Sequence, residues 1–346
     1  MKDIRSLELD ELNKELEAYN VKKFVAKQVY DWIHKKCAGS FDEMTNISKE
    51  LRNALKENFE IALPTILTLK KSKDGTKKYL FELSDGRTIE SVLMKYKYGY
   101  SVCISSQVGC RMGCAFCATA IGGLERNLSA GEMLSQVYAI EKEVGERISH
   151  VVVMGMGEPL DNYDNLLKFI RMISSEEGLN LSQRAITVST CGIVPKMAEL
   201  AKEKLQITLA VSLHATTQEE RAKLMPVAKS FNIYELLEAC KRYFDITGRR
   251  VSFEYSLIKG KNDSIEHAER LADLIKDMKA HINLIPVNPV VETGFSSPDA
   301  KAAMRFKNKL EKYGINVTIR REMGQDIDAS CGQLRMSYGG KYENKR

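Results

Sequence analysis

Apolar residues recur at helical spacing in the first part of the chain. The positions that share this spacing are Phe24, Val25, Val29, Trp32 and Ile33. With 3.6 residues per turn, such positions lie on one face of a helix. A further helix is expected to begin at Ser48. Residues 1–60 are therefore predicted to form a small helical module.

From Ile66 the pattern changes to short runs rich in β-forming residues. The runs are TILTLK, KKYLFEL and RTIESVLM, with the turn signals Asp74-Gly75 and Asp85-Gly86 between them. Short β runs separated by Asp-Gly pairs are typical of hairpins. We expect a hairpin or a three-stranded meander that forms a β-rich linker over residues 61–95.

Beyond Ser101, strand-like runs alternate with polar segments that are compatible with helices. The runs are SVCIS, HVVVMGM, AITVST, ITLAVSL, VSFEYSLI, HINLIPVN and INVTIRR. Runs that are apolar on both faces suit a parallel sheet covered on both sides. Ser129 and Glu132 form a capping box before one of the helices. The fold class is therefore α/β: repeated β/α units over residues 96–326 that form a barrel or a doubly wound sheet, followed by a tail over 327–346.

Unusual residues fall where these strands end. They are Gly157, Glu158, Ser189, Ser212, Leu213, His214 and Asn288. In barrels and doubly wound sheets alike, chemistry gathers at the carboxyl ends of the strands. These residues are therefore predicted to share one pocket, although His214 is equally compatible with a satisfied histidine in the core.

Cys110, Cys114 and Cys117 form a C-x3-C-x2-C run. Thiolates favour zinc, Cu(I) or iron–sulfur clusters. Structural zinc and fully protein-ligated clusters use four ligands, so three on one short loop leave a metal position open. The same spacing would place three core cysteines on one helix face, but Gly109 and Gly113 disfavour a helix. The run therefore indicates a metal-binding loop.

The composition narrows the class of protein. The chain has 346 residues, and 52 basic against 46 acidic residues give a net charge of +6. This charge fits an RNA partner without requiring one. The basic residues crowd two regions: Lys22, Lys23, Lys27, Lys35, Lys36, Lys49, Arg52 and Lys56, and then Lys70, Lys71, Lys73, Lys77 and Lys78. Solvated faces explain such runs as well as nucleic-acid contacts do.

Eight cysteines would permit disulfide bonds in a secreted protein. The start of the chain is polar, without the apolar core of a signal peptide. No apolar stretch approaches the roughly 20 residues of a membrane span. We expect a soluble cytoplasmic protein with no membrane partner.

The cysteine loop resembles the signature of the radical SAM superfamily, in which an aromatic residue, here Phe116, precedes the last cysteine. The resemblance implies an incomplete (β/α)6 barrel. It also implies one [4Fe–4S] cluster per chain, held by Cys110, Cys114 and Cys117, with S-adenosylmethionine on the open iron. Reductive cleavage of that cofactor would give a 5′-deoxyadenosyl radical.

Further motifs resemble one family within this superfamily, the RlmN/Cfr RNA adenine methyltransferases. The motifs are CISSQVGCRMGCAFCATAIGGLERNL, VMGMGEPL, VSLHA and DIDASCGQL. The resemblance extends from the N-terminal helices to Leu334. It implies methylation of carbon 2 of adenine in 23S rRNA, in the peptidyl-transferase region, and in tRNA, at the adenosine 3′ of the anticodon.

The resemblance assigns chemistry to three further residues. Cys331 would accept a methyl group from a first S-adenosylmethionine, and the radical from a second would remove a hydrogen from it, so that the methylene adds to adenine. Cys103 would release this covalent adduct by forming a transient disulfide with Cys331. Glu90 matches the proton acceptor, but whether Glu90 or Cys103 takes the carbon 2 proton stays open. By default Cys103 would be a buried small residue, and Glu90 a solvent-facing strand residue.

The cofactor pocket and the partners follow from the same resemblance. Gly157, Glu158, Ser189, Ser212, Leu213, His214 and Asn288 match positions that hold S-adenosylmethionine. The N-terminal module resembles the accessory domain that binds RNA. A reductase or flavodoxin-type electron donor and a monomeric state are also expected.

Three alternatives remain. A Cfr-like enzyme would methylate carbon 8 of rRNA adenine, although Pro159 and the C-terminal RREMGQDIDASCGQLR look closer to the carbon 2 enzymes. An RNA-binding protein with structural zinc would be colourless, whereas a cubane cluster gives brown protein with about four irons per chain. A radical SAM enzyme for a small molecule would not form a protein–RNA adduct.

Overall fold

The computed structural model describes residues 1–288, 293–329 and 332–334. Within these ranges the chain forms ten α-helices and fourteen β-strands. The helices are α1 (Leu9–Glu17), α2 (Lys23–His34), α3 (Lys49–Asn58), α4 (Ala130–Val144), α5 (Tyr163–Ser174), α6 (Val194–Lys202), α7 (Gln218–Leu224), α8 (Ile233–Thr247), α9 (Ile265–Ile275) and α10 (Ala300–Lys312). The strands are β1 (Lys2–Asp3), β2 (Phe59–Glu60), β3 (Thr65–Lys71), β4 (Lys77–Glu82), β5 (Thr88–Tyr96), β6 (Gly99–Cys103), β7 (Gln107–Gly109), β8 (Leu124–Asn127), β9 (Ile148–Val153), β10 (Ile186–Thr190), β11 (Thr208–Ser212), β12 (Val251–Leu257), β13 (Ala280–Pro286) and β14 (Asn316–Ile319).

One ten-stranded sheet organises most of these strands, in the order β14-β13-β12-β11-β10-β9-β6-β5-β4-β3. From β6 through β14 every neighbouring pair is parallel. A doubly wound sheet reverses its strand order at a switch point, whereas this order is sequential throughout. Six β/α units followed by β14 therefore form the incomplete (β/α)6 barrel, and the prediction of fold class is confirmed.

Helix α4 shows how local sequence shapes the barrel units. Ser129 Oγ accepts a hydrogen bond from the Glu132 N–H, and the Glu132 carboxylate accepts one from the Ser129 N–H. The capping box predicted from the sequence is therefore present. Met133, Val137 and Ile140 are buried on the face that packs against the sheet. The helix ends at Gly145, whose φ of 68° is left-handed.

The predicted meander is present as β3, β4 and β5, but it extends the barrel sheet. Neighbouring strands of the meander are antiparallel, and β5 pairs antiparallel with β6, placing Val92 opposite Cys103. The sequence did not predict this continuity, because strand runs alone do not reveal their pairing partners. The predicted boundaries at residues 60, 95 and 326 stay predictions.

The N-terminal helices pack against the barrel through a fully buried arginine. The Arg5 guanidinium donates to the Ala38 carbonyl at 2.9 Å and to Ser135 Oγ of α4 at 3.2 Å, and it lies over the Tyr138 ring. On α2, Val29 and Ile33 are buried as the periodicity predicts. Phe24, grouped with these residues by spacing, is 58% exposed, because nine residues at 100° each place it on the helix side opposite Ile33.

No helix in the described ranges combines the length and apolar character needed to cross a bilayer.

Candidate active site

An open cavity lies at the carboxyl ends of the parallel strands. Its lining includes nine of the predicted site residues: Cys110, Cys114, Cys117, Gly157, Glu158, Ser189, Ser212, His214 and Asn288. They come from the cysteine loop and from the ends of four different strands. The structure thus brings together side chains that the sequence placed at separate strand ends, while their individual roles stay predictions.

The cysteine loop is held by a small hairpin rather than by a helix. Strands β7 and β8 pair antiparallel, and the loop between them carries the three cysteines. A Cβ added at Gly109, whose φ is 78°, would lie 1.9 Å from the Gly123 carbonyl oxygen. Only glycine fits there, because the Cys110 N–H donates to that same oxygen at 2.7 Å. The helix-face alternative for these cysteines is wrong.

The three thiols lie in apolar surroundings. Cys110 is buried, Cys114 and Cys117 are half-buried, and an apolar cluster around Met225, Ile258 and Val287 packs against Cys114. Burial raises the pKa of the Cys110 thiol to about 12 and raises the pKa of Cys114 as well. Thiols in this state become thiolate ligands by releasing protons as metal binds.

All three cysteines line the same cavity. In a cubane cluster, each of three thiolates binds a different iron. Soft sulfur donors in an apolar cavity fit an iron–sulfur cluster.

Glu158 is oriented by the backbone. Its carboxylate accepts hydrogen bonds from the Cys191 N–H at 2.7 Å and the Leu160 N–H at 3.0 Å. Its own N–H donates to Gln107 Oε1 at 2.8 Å. Burial raises the pKa of this carboxyl group, and the hydrogen bonds oppose that shift. A carboxylate held in this way can receive an ammonium group without reorganising.

Gly157 is a glycine because of its neighbours in β7. Its φ is 107°, and an added Cβ would lie 2.6 Å from Gln107 Cβ. Sequence reasoning explained this glycine by close approach of the cofactor. That role stays a prediction; the contact that the structure describes is with Gln107, so the glycine also allows the Glu158 turn to pack on the cysteine hairpin.

His214 is a neutral donor at the cavity wall. Its Nδ1 accepts the Ser256 N–H at 2.9 Å, so the proton lies on Nε2. Burial lowers the pKa of His214 to about 3, which keeps the ring uncharged. The Phe116 ring packs edge-on against it at 4.9 Å. The ring can therefore donate one hydrogen bond from a fixed orientation.

Ser212 and Leu213 precede this histidine with different surroundings. Ser212 lines the cavity, and its carbonyl accepts from the Arg221 guanidinium at 3.2 Å. Leu213 is fully buried in the hydrophobic core, and its N–H donates to the Glu254 carbonyl at 3.0 Å. The leucine side chain thus supports the strand end from the core.

A second, smaller cavity adjoins the first. The two share Met154, Ile285, Asn288 and Arg320. Cys103 lines the second cavity together with Val92 and Met94 of β5. Cys103 is buried, as the default interpretation expected, but it also lines a cavity that continues into the cofactor cavity.

Glu90 lies on the same strand face as Val92 and Met94, because side chains two residues apart share a face. It is only 3% exposed, so the default expectation of a solvent-facing residue is wrong. Its carboxylate forms an ion pair of 2.8 Å with Lys78 of β4. A buried carboxylate beside this cavity is therefore held by a buried cation.

Cys331 and Ser330 lie outside the described residues. On either side of them, Ala329 lines the second cavity and Gly332 lines the first. The Gly332 carbonyl accepts the Ala118 N–H at 2.8 Å, next to Cys117 in the chain, and the Leu334 carbonyl accepts Thr119 Oγ1 at 2.6 Å. The chain that flanks Cys331 therefore adjoins the cysteine loop.

Some cavity residues were missed by sequence reasoning. Glu254 of β12 lines the first cavity and accepts from Asn283 Nδ2 at 2.9 Å. An acidic residue inside the apolar run VSFEYSL was the available signal. Cys191, left as structural along with Cys37 and Cys240, lines the cavity and donates its N–H to Glu158. That backbone contact has no signature in sequence.

Comparisons with known proteins agree with this geometry. Residues 104–275 match the model of the Radical SAM superfamily, and residues 2–61 match the model of the ribosomal RNA large subunit methyltransferase N-terminal domain. Proteins from Lachnospira eligens and Lachnoclostridium phytofermentans are each 58% identical over 98% of this chain, which spans 97% and 96% of their lengths. Both carry the name "Probable dual-specificity RNA methyltransferase RlmN".

A solved structure shows the same fold over nearly the whole chain. The crystal structure of a radical SAM methyltransferase from Sphaerobacter thermophilus is 43% identical, with a TM-score of 0.94. The match covers 97% of this chain and 100% of that one.

Proposed function

Because this chain belongs to the RlmN family of radical SAM RNA methyltransferases, we propose that it methylates carbon 2 of adenine in 23S rRNA and tRNA. The expected targets are the peptidyl-transferase region of the rRNA and the adenosine 3′ of the anticodon in tRNA. The observation that carries this proposal is the pair of adjoining cavities. The cysteine loop lines one, Cys103 lines the other, and the residues flanking Cys331 are divided between them.

The cofactors of the family are a [4Fe–4S] cluster and S-adenosylmethionine. Cys110, Cys114 and Cys117 would hold the cluster, and Glu158, Ser189, Ser212, His214 and Asn288 line the cavity for S-adenosylmethionine. Bound together, the two supply the radical that removes a hydrogen atom from a methyl group. The Glu158 carboxylate would orient the ammonium group, while the neutral His214 donates from Nε2.

Cys331 is proposed as the residue that carries the methyl group. Its thiolate would take a methyl group from S-adenosylmethionine, leaving S-adenosylhomocysteine and a thioether. Such a methyl group has hydrogens that a radical can abstract. Carbon 2 of adenine is not nucleophilic, so a radical route explains why ordinary methyl transfer is not used. The positions of Ala329 and Gly332 support this role.

Cys103 and Glu90 are proposed to release the RNA. Attack of the Cys103 thiolate on the Cys331 sulfur would form a disulfide as the bond between that sulfur and the methylene carbon breaks. The electron pair stays with the methylene carbon, which takes a proton to become methyl. Before this step, Glu90 is proposed to accept the carbon 2 proton of the radical adduct, and the one electron released with it would return to the oxidised cluster, so that a closed-shell thioether remains. Its burial on the strand face that it shares with the cavity-lining Val92 and Met94 supports this assignment.

The remaining proposals concern the compartment and the partners of the protein. RNA substrates favour action in the cytoplasm, and basic residues of the N-terminal helices would contact phosphates. A flavodoxin-type electron donor and a monomeric state stay predictions.

Mapping the modified base tests the function. The protein, reconstituted anaerobically with iron, sulfide and S-adenosylmethionine, is incubated with unmodified 23S rRNA fragments and tRNA. Nucleosides are then identified by mass spectrometry against both methyladenosine standards. We expect 2-methyladenosine from both RNAs and a methyl increment on the Cys331 peptide. A methyl group on carbon 8 alone would instead indicate the Cfr-like activity, which the similarity to proteins named RlmN does not favour.

A further inference from the structure

Lys78 is a buried lysine between the meander and residues 324–329, the C-terminal segment that precedes Cys331. Its side chain is on β4, opposite Val92 of β5, and the residue is 7% exposed. Its ammonium lies 2.8 Å from Glu90 Oε1 and donates to the Asp328 carbonyl at 3.1 Å. One cation thus contacts both the proposed base and the chain three residues before Cys331.

This position is unusual for a lysine. Removing an ammonium and a carboxylate from water costs several kcal/mol each, and their attraction offsets this only with good geometry and further hydrogen bonds. The neighbouring lysine of the same strand, Lys77, forms its ion pair nearer to solvent. Lys77 points to the opposite face of β4 and pairs with Glu143 of α4 at 2.8 Å, where both side chains are about one-fifth exposed.

We propose that Lys78 is a positioning residue for the release step, which holds Glu90 as a carboxylate and ties it to the segment that carries Cys331. The inference rests on the proposed function, because it assigns to Glu90 the role of base. The ammonium fixes one carboxylate oxygen, and its bond to the Asp328 carbonyl fixes the distance between that carboxylate and the segment.

The C-terminal segment has other anchors, so that this role is separable from simple attachment. Asp74 Oδ2 accepts the Gly324 N–H at 3.0 Å, and Asp326 Oδ2 accepts the Lys73 N–H at 3.3 Å. An added Cβ at Gly324 would lie 2.9 Å from Thr76 Cγ2 and 2.8 Å from Ala329 Cβ. The hairpin turn between β3 and β4 therefore holds the segment without the Lys78 side chain.

The proposed reaction has two halves, methylation of Cys331 and release of the RNA from the adduct, and they depend on different groups. Methylation of Cys331 uses no base in the meander, whereas release of the RNA needs Glu90. Replacing Lys78 with methionine keeps the aliphatic stem and removes the cation. A buried carboxylate without its counter-charge is driven toward the protonated form, which cannot accept a proton. Lys78→Met should therefore leave Cys331 methylation intact and stall the enzyme at the protein–RNA adduct.

The test follows both half-reactions in the full-length, cluster-containing protein. Intact mass reports the methyl group on Cys331, and denaturing gel electrophoresis of labelled RNA reports the adduct. For Lys78→Met we expect wild-type methylation and release about 10²-fold slower, the typical effect of a displaced catalytic group. Lys77→Met is the matched control, because it removes an outer ion pair from the same strand, and its release should equal that of wild type.

A double variant keeps the test decisive if Lys78→Met folds poorly. Lys78→Met with Glu90→Gln contains neither charge, and neutral replacement of a buried ion pair is often tolerated. If Lys78 acts through Glu90, the double variant releases RNA at the rate of Glu90→Gln alone. Additional slowing in the double variant, normal release in Lys78→Met or Glu90→Gln, or loss of Cys331 methylation in Lys78→Met would each overturn the proposal.

Failure of the proposed function would look different. In that case wild-type protein itself would show no methyl group on Cys331 and no 2-methyladenosine. A wild-type enzyme that completes its cycle, beside a Lys78→Met variant that does so equally fast, overturns only the role of Lys78.

Discussion

Gln107 Oε1 accepts the backbone N–H of Glu158 at 2.8 Å. The same side chain donates through Nε2 to Asn127 Oδ1 at 2.7 Å and Asp161 Oδ2 at 3.0 Å. One amide therefore joins the hairpin that carries the cysteine loop to the turn that carries the predicted ammonium acceptor. The positions of the cysteine loop and of Glu158 therefore depend on each other through this contact.

Replacing Gln107 with alanine should weaken cofactor binding while sparing the cluster. The variant leaves the buried Glu158 N–H without its acceptor, which costs about 1–3 kcal/mol. We expect affinity for S-adenosylmethionine to fall by about tenfold or more. Anaerobic equilibrium dialysis measures the affinity, and iron analysis checks the cluster. Gln183→Ala is the control, because Gln183 precedes β10 and lies at the end of that strand away from the cavity. If Gln107→Ala lost iron but bound S-adenosylmethionine with unchanged affinity per remaining cluster, the coupling between the cysteine loop and Glu158 would be contradicted.

Gly157→Ala should destabilise the protein more than a comparable glycine substitution. Gly157 combines a left-handed φ of 107° with a Cβ position 2.6 Å from Gln107 Cβ. Backbone strain and the clash together should lower the free energy of unfolding by about 3 kcal/mol. Gly248→Ala is the matched control, since Gly248 has a φ of 66° but no atom within 4 Å of an added Cβ. That variant should lose about 1 kcal/mol. Urea unfolding of the cluster-free proteins compares the two, and equal losses would contradict the steric argument.

Stability should fall as the pH drops below 6.5. Burial lowers the pKa of both His34 and His214 to about 3 from the usual 6.5. Between these values the unfolded chain binds a proton at each histidine and the folded protein does not, so acid favours unfolding. Each histidine should remove about 1.4 kcal/mol of unfolding free energy per pH unit in this range.

His34 allows this pH dependence to be isolated away from the site. Its Nδ1 lies 2.9 Å from the Tyr138 hydroxyl, at the packing of α2 against α4. His34→Gln retains a hydrogen-bonding group that does not titrate. Urea unfolding at pH 7.5 and 5.5 should show a smaller acid loss in the variant than in wild type. An identical loss would exclude His34 as a source of the effect.

Replacing Cys103 with alanine should trap the RNA on the protein. The variant keeps the cysteine loop and Cys331, so the methylene group can still reach adenine, but no thiol attacks the Cys331 sulfur. Each chain should stop after one adduct, seen as labelled RNA that stays with the protein under denaturing conditions. Cys240→Ala is the control, because Cys240 is fully buried on α8 and should release RNA normally. Continued methylation by Cys103→Ala without an adduct would refute the release step.

The strands were predictable because their apolar runs are local. All seven runs from SVCIS to INVTIRR form strands of one sheet, and their order follows from the sequential β/α pattern. The shared cavity was predictable for the same reason, since parallel strands end at one edge. Phe24 shows the limit of periodicity, because spacing indicates a helix face but not where the partner surface ends.

Contacts that depend on pairing between distant strands were not predictable. Glu90 would by default be a solvent-facing strand residue, and its ion pair with Lys78 on the neighbouring strand offsets the cost of its burial. Glu158 is oriented by the backbone N–H of Cys191, a contact made by any residue type at that position. Gly157 was predicted from its place at a strand end, but sequence does not reveal that Gln107 lies against it.

The antiparallel strands β5, β4 and β3 extend the barrel at one edge, and this bears on which parts of the reaction can vary between related enzymes. Cys110, Cys114 and Cys117 lie on the barrel's own hairpin, whereas Glu90 and Lys78 lie on the added strands. Under the proposed mechanism, the groups that generate the radical and the base that acts on the adduct therefore lie on different parts of the sheet, while the resolving Cys103 lies on β6 of the barrel. Exchanging these antiparallel strands for others would keep the cysteine loop that generates the radical. It would replace the base that acts on the RNA adduct, and the reaction product would change with it.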